Sequence, residues 1–202
     1  MGIVQAYEES FRHHSRRTAL VLLTHDDLSD RQRYLNARGT LRTLLNYGIV
    51  PVINENDSVA TDEIQLGDND TLAARVASLV SADVLVLLTD QKGLHEDDPR
   101  VRPDAPMVSE RSAFDSKLDD MVGSGSGALG RGGMVTKLEA ARYAARAGCH
   151  TVIANGREPD ILSAIADGRN VGTILTADVA PLDARKQWIA AQVQSAGGIT
   201  LD

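Results

Sequence analysis

The 202-residue chain suits one domain, or one domain with a tail, and its 43% apolar content is enough for a sizeable core. Aromatics make up only 3%, so Leu, Val, Ile and Ala must fill that core. A net charge of -7 and a pI near 5.2 argue against binding nucleic acid or anionic membrane through bulk charge, no apolar run reaches membrane-spanning length, and the start is not a signal peptide.

Taken in order, residues 3–14 predict a helix with Tyr7 and Phe11 on one face. The apolar run 18–24 predicts a strand covered on both faces. Ser29 or Asp30 caps a predicted helix running to about Tyr47, with Tyr34, Leu41, Leu44 and Leu45 at helical spacing and Gly48 as its stop. Residues 49–54 form a second buried strand, followed by an acidic loop in which 63–66 alternates like a short hairpin arm. Leu72, Val76, Leu79 and Val80 mark the next helix, and 84–89 the third strand. A long loop follows, then a short helix over 113–122 and a glycine-rich loop over 123–134. A helix over about 136–147, a strand over 151–154, a helix over 158–167 and a strand over 171–176 complete the pattern. Alternating strands and helices, with strands that read as buried, predict an α/β fold with a largely parallel sheet between helical layers.

Three stretches carry candidate chemistry. The loop from Asn54 through Asp57 to Asn69 and Asp70 is crowded with carboxylates and Asn amides between a strand and a helix. That is where open α/β sheets place ligands, although Asp and Asn are also ordinary helix caps. Without Cys or His it suits Mg²⁺, or an ammonium and hydroxyl groups, better than zinc. The strand end Thr89-Asp90 is equally placed for a ligand or for a solvated turn. The run Gly130-Arg131-Gly132-Gly133-Met134-Val135-Thr136-Lys137 opens a helix and offers backbone N–H groups and a lysine to a phosphate, yet it has neither the P-loop nor the Rossmann spacing and also reads as a plain surface loop. Together they suggest two sub-sites, one for a phosphate-bearing donor and one for a small polar acceptor. The five histidines show no metal spacing, and the single Cys149 reads as a small core residue in a reducing compartment.

The motifs 54–57, 67–70, 88–94 and 132–137, in this order and spacing, resemble the glutamate 5-kinase family of the amino acid kinase superfamily over nearly the whole chain. The resemblance implies a three-layer α/β/α sandwich with a mainly parallel sheet, spanning residues 1–178. Residues 179–202 would be a linker and the first residues of a PUA-like segment. It implies ATP with Mg²⁺ as donor and L-glutamate as acceptor, giving L-glutamyl 5-phosphate in the first step of proline biosynthesis. By position, Asn54, Asp57 and Asn69 are implied glutamate contacts. Asp70 is the implied catalytic carboxylate, and Thr89 and Asp90 are implied nucleotide contacts. The segment Arg131, Gly132, Gly133, Met134, Val135, Thr136 and Lys137 is the implied nucleotide-phosphate loop, with Lys137 also catalytic. A cytoplasmic homo-oligomer with proline as a feedback inhibitor is implied too.

The family's opening strand with its lysine-bearing Gly-Ser-Ser loop, and its Ser-Gly-Ala segment, have no counterpart here. Arg131 stands where a small hydroxyl residue is expected. The expectation is therefore a kinase domain without its N-terminal part, unable to catalyse at a useful rate. The competing readings are another member of the superfamily, a non-catalytic nucleotide-binding remnant, and an anion-binding scaffold.

Overall fold

The computed structural model describes residues 2–56, 69–97, 102–123 and 128–178. The chain divides into two compact units, residues 1–80 and 81–202. The hairpin arm expected at 63–66 and the tail beyond 178 lie outside the described residues.

In the first unit the elements are α1 (Ile3–His13), β1 (Arg17–Leu23), α2 (His25–Ser29), α3 (Arg31–Asn46), β2 (Ile49–Glu55) and α4 (Asn69–Val80). The two strands pair in parallel, with Arg17 opposite Ile49 and Leu23 opposite Glu55. Short α2 was not expected from the sequence. It forms because Thr24 and Asp27 close a reciprocal capping box, the Thr24 N–H donating to Asp27 Oδ2 at 2.8 Å. Asp30 caps α3 by accepting from the Arg33 N–H at 2.9 Å. At the far end Gly48 takes a φ of +68°, the left-handed turn that glycine adopts without a Cβ penalty. The core packs Leu23, Leu28, Leu41, Leu72 and Leu79, with Val21, Tyr34, Ile53 and Val76 around them. Alternate β1 residues Leu20 and Leu22 are about half exposed, so within this unit β1 is covered on one face rather than on both as its apolar run predicted.

The second unit contains β3 (Val84–Thr89), β4 (Glu110–Ser112), α5 (Lys117–Gly123), α6 (Ala128–Arg146), β5 (His150–Asn155), α7 (Ile161–Ala166) and β6 (Thr173–Thr176). Its sheet runs β3-β5-β6-β4. The pairs β3–β5 and β4–β6 are parallel, while β5–β6 is antiparallel with Thr173 opposite Ile153. Parallel pairing thus dominates, as expected, but β6 runs backwards. Its first residues lie at the edge where β3 and β5 end. An alanine-rich face of α6, with Leu138, Ala141, Ala144 and Ala145 buried, lets that helix pack close to β5 and β3. A second cluster joins Val152, Ala154 and Ile161 to Val86, Ile165, Val171 and Ile174.

Candidate functional site

The acceptor-side candidates belong to the first unit. Asn54, the penultimate residue of β2, is exposed opposite Leu22, and the Asn56 N–H continues the ladder to the Leu23 carbonyl at 2.9 Å. Asn69 and Asp70 open α4, where a carboxylate meets the positive end of the helix dipole. One hydrophobic cluster holds both Ile53, which precedes Asn54, and Leu72, two residues beyond Asp70. Packing therefore fixes the end of β2 and the start of α4 in one body. Asp57 lies outside the described residues.

The donor-side candidates belong to the second unit. The Thr89 hydroxyl donates to Asp90 Oδ1 at 3.1 Å, at the end of β3. Opposite Thr89 stands Asn155, the last residue of β5. Its side-chain oxygen accepts from the Arg157 N–H at 2.9 Å, and the Gly156 N–H donates to the Thr89 carbonyl at 2.8 Å. Asn155 and Gly156 therefore border the Thr89-Asp90 edge, although sequence reasoning did not single them out. The available signal was the same one used for Thr89: a polar residue ending a buried parallel strand.

The segment from Arg131 to Lys137 is a correction. Arg131, Gly132, Gly133, Met134, Val135, Thr136 and Lys137 are helical, inside α6, and not a loop ahead of it. Helix interiors tolerate glycine at about 1 kcal/mol each, and the strongly packed 138–145 stretch carries the helix onward. Backbone N–H groups within a helix are committed to their own carbonyls, so a cradle of free N–H groups over 131–137 is not formed here. The Thr136 hydroxyl donates to the Gly133 carbonyl at 3.1 Å, as back-bonding hydroxyls do in helices. Gly133 is exposed, and a Cβ there would meet nothing within 4 Å. A ligand can thus approach the backbone closely at this point. The Lys137 side chain is half-buried one turn further on.

Helix α6 is tied to the segment before it by Arg142. Its guanidinium binds both Asp119 carboxylate oxygens at 2.8 Å, and its Nε donates to the Ala113 carbonyl at 3.2 Å. The hydrogen bonds from Arg142 hold the Asp119 carboxyl below its ordinary range, and the same contact raises Arg142. A carboxyl whose pKa is lower in the folded state stabilises the fold above its unfolded pKa and loses that contribution as pH falls through the folded pKa. The expected result is an Asp119 titration midpoint below 3.8, followed by carbon-detected NMR, that returns toward 3.8 in Arg142→Gln.

The remaining groups are structural. Cys149 is buried, and burial pushes its thiol up to about 11, which makes it a core residue and not a nucleophile. Among the described residues, no group of three or more His, Cys, Asp or Glu side chains could hold a metal. A protein-built Mg²⁺ cage is therefore not a feature of the described part. No helix among the described residues is long and apolar enough to cross a membrane.

The two units carry α/β elements with polar residues at strand ends and helix starts. The amino acid kinase family model matches residues 3–155, from α1 to the end of β5, and the chain belongs to that family. Over all 202 residues it is 60% identical to the glutamate 5-kinases of Nitrosococcus oceani and of Thioalkalivibrio sulfidiphilus, and 59% identical to that of Pseudomonas aeruginosa. The chain spans about half the length of these curated relatives, 54% in each case. Among solved structures, the carbamate kinase of Giardia lamblia superposes with a TM-score of 0.60 at 18% identity, covering 86% of this chain and 67% of that one. The UMP kinase of Ureaplasma parvum superposes with a TM-score of 0.58 at 15% identity, covering 85% and 65%. At such identities the superpositions support the fold alone.

Proposed function

We propose that this sequence forms part of a glutamate 5-kinase, which transfers the γ-phosphoryl group of ATP to the side-chain carboxylate of L-glutamate. The observation that carries the reading is the 60% identity over the whole chain to two glutamate 5-kinases. In this reading Asn54, Asp57 and Asn69 bind glutamate. Thr89 and Asp90 contact the nucleotide from the end of β3. The Lys137 ammonium serves the phosphates from α6, where the exposed Gly133 leaves room for them to approach. Asp70, at the start of α4, orients the positive charge of the site. The acceptor carboxylate is already ionised at neutral pH, with an ordinary pKa near 4.3, so no general base is needed. What these residues supply is alignment and charge neutralisation, which dominate phosphoryl transfer. Magnesium, bound with the nucleotide, would supply charge neutralisation at the phosphates.

The finer expectations belong to the same reading: a cytoplasmic homo-oligomer, with proline competing at the glutamate site. The test measures ADP release and traps the acyl phosphate with hydroxylamine. It uses this chain, and this sequence set in a chain of the relatives' full length. Glutamate-dependent release, with aspartate, acetylglutamate and UMP inactive, supports the reading. Release with one of those acceptors in place of glutamate, or nucleotide binding without any transfer by the full-length protein, overturns it.

A further inference from the structure

A buried hydroxyl stitches together the loop that leaves β3. Thr173, the first residue of β6, is fully buried. Its Oγ1 accepts from the Leu94 N–H at 2.8 Å and donates to the Val108 carbonyl at 2.5 Å, with the Leu94 carbonyl at 3.5 Å as the alternative acceptor. Leu94 and Val108 are themselves bonded, Val108 N–H to Leu94 carbonyl at 2.8 Å, and the Glu96 N–H reaches the Pro106 carbonyl at 3.0 Å. The two arms of the long β3–β4 connection are thus laced to each other and held to β6, by the Thr173 hydroxyl at Leu94 and Val108 and by the Ile174 N–H, which donates to the Ser109 carbonyl at 2.8 Å. The fit leaves no slack. A Cβ on Gly93 would sit 2.7 Å from Thr173 Oγ1 and 3.1 Å from Met107 Sδ. Gly172 takes a φ of +76° beside the Ile153 carbonyl, which sets the Thr173 side chain at the start of its strand.

Only three residues separate Asp90 from this pin. We propose that Thr173 is a positioning residue for the nucleotide side of the site: its hydroxyl fixes the 90–94 turn and so holds the Thr89-Asp90 edge in place. The proposal rests on the reading of Thr89 and Asp90 as nucleotide contacts. The antiparallel run of β6 makes it geometrically open, because that run brings the first residue of β6 to the edge where β3 ends. A buried hydroxyl that both donates and accepts cannot be replaced by a methyl group without orphaning the Leu94 N–H and the Val108 carbonyl. The turn then relaxes, and small displacements of positioned groups carry large losses.

The test compares wild type, Thr173→Val, Thr173→Ser and a core control, Ile161→Val. Each is titrated with magnesium and a fluorescent N-methylanthraniloyl derivative of ADP, well below its melting temperature. Thr173→Val is expected to bind roughly tenfold or more weakly, with Thr173→Ser restored to the wild-type affinity and Ile161→Val unchanged. Equal loss in Ile161→Val would mean general softening and would overturn the proposal. So would unchanged affinity in Thr173→Val. Absence of binding by wild type overturns the nucleotide reading, and the proposal with it. Should Thr173→Val not fold, amide exchange in wild type decides. The Leu94 amide must exchange far more slowly than the Lys92 amide, and similar rates would overturn the proposal.

Discussion

Lys137→Ala, in a chain of the relatives' full length, is expected to lower glutamate-dependent phosphoryl transfer by roughly 10²–10³-fold, the usual loss when one preorganised charge partner is removed. The loss should fall on kcat more than on KM for ATP, because the ammonium matters most as charge shifts during transfer. Melting should stay close to wild type. Lys137 lies one residue before the buried stretch that begins at Leu138, and truncating it removes no core side chain. Steady-state kinetics with varied ATP, beside a melting curve, checks both halves. A large fall in melting temperature with kcat intact would put Lys137 among structural residues and remove it from the site.

Leu41→Ala is the variant expected to damage stability most. Leu41 is fully buried in α3 against Leu23, Leu28, Leu72 and Leu79. Deleting its isobutyl group loses transfer free energy and leaves a cavity, about 2–5 kcal/mol in all. The matched comparison is Leu35→Ala on the same helix. Leu35 is 52% exposed, and surface truncations stay within about 0.5 kcal/mol. Urea denaturation of both variants gives the answer. Similar midpoints would mean that the α3–α4 core does not form as described. Because the same cluster fixes the end of β2 and the start of α4, Leu41→Ala should also weaken glutamate binding at the proposed contacts Asn54 and Asn69 and displace Asp70, the proposed catalytic carboxylate.

Most strands were legible in the sequence, because continuous apolar runs ended by Gly or polar residues allow little else. Runs 18–24, 49–54, 84–89 and 151–154 each became a strand shifted by no more than a residue at either end. The helix at 113–122 begins only at Lys117, where the Lys117 N–H bonds to Asp115 Oδ1 at 2.9 Å. Strand β4 could not be read at all. Glu110-Arg111-Ser112 has no β pattern, and its ladder partner β6 makes it a strand. The reversed direction of β6 is likewise a property of pairing and not of its apolar run. In α3 the core-facing row follows Tyr34, Ala37, Leu41 and Leu44, whereas Leu45 lies off that face and is about half exposed. Candidate residues at strand ends and helix starts could be picked out by placement, which is why Asn54, Asn69, Asp70, Thr89 and Asp90 stood out, and the structure puts each at such an end or just beyond it. Thr173 could not, since one Thr in an apolar strand shows its partners only when distant loops are folded onto it.

The glycines at the start of α6 carry a consequence for energetics. Gly130, Gly132 and Gly133 stand in its first two turns, each costing about 1 kcal/mol against alanine. Those turns are the least expensive part of the helix to melt, while the alanine-faced remainder is held by packing. Uncoiling them moves the helix start to about Met134. The four unbonded N–H groups then become those of residues 134–137, and the positive end of the dipole moves to Lys137. The helical and the looped forms of 130–137 thus differ by the stability of two glycine-bearing turns alone, since the packed stretch from Leu138 onward is common to both.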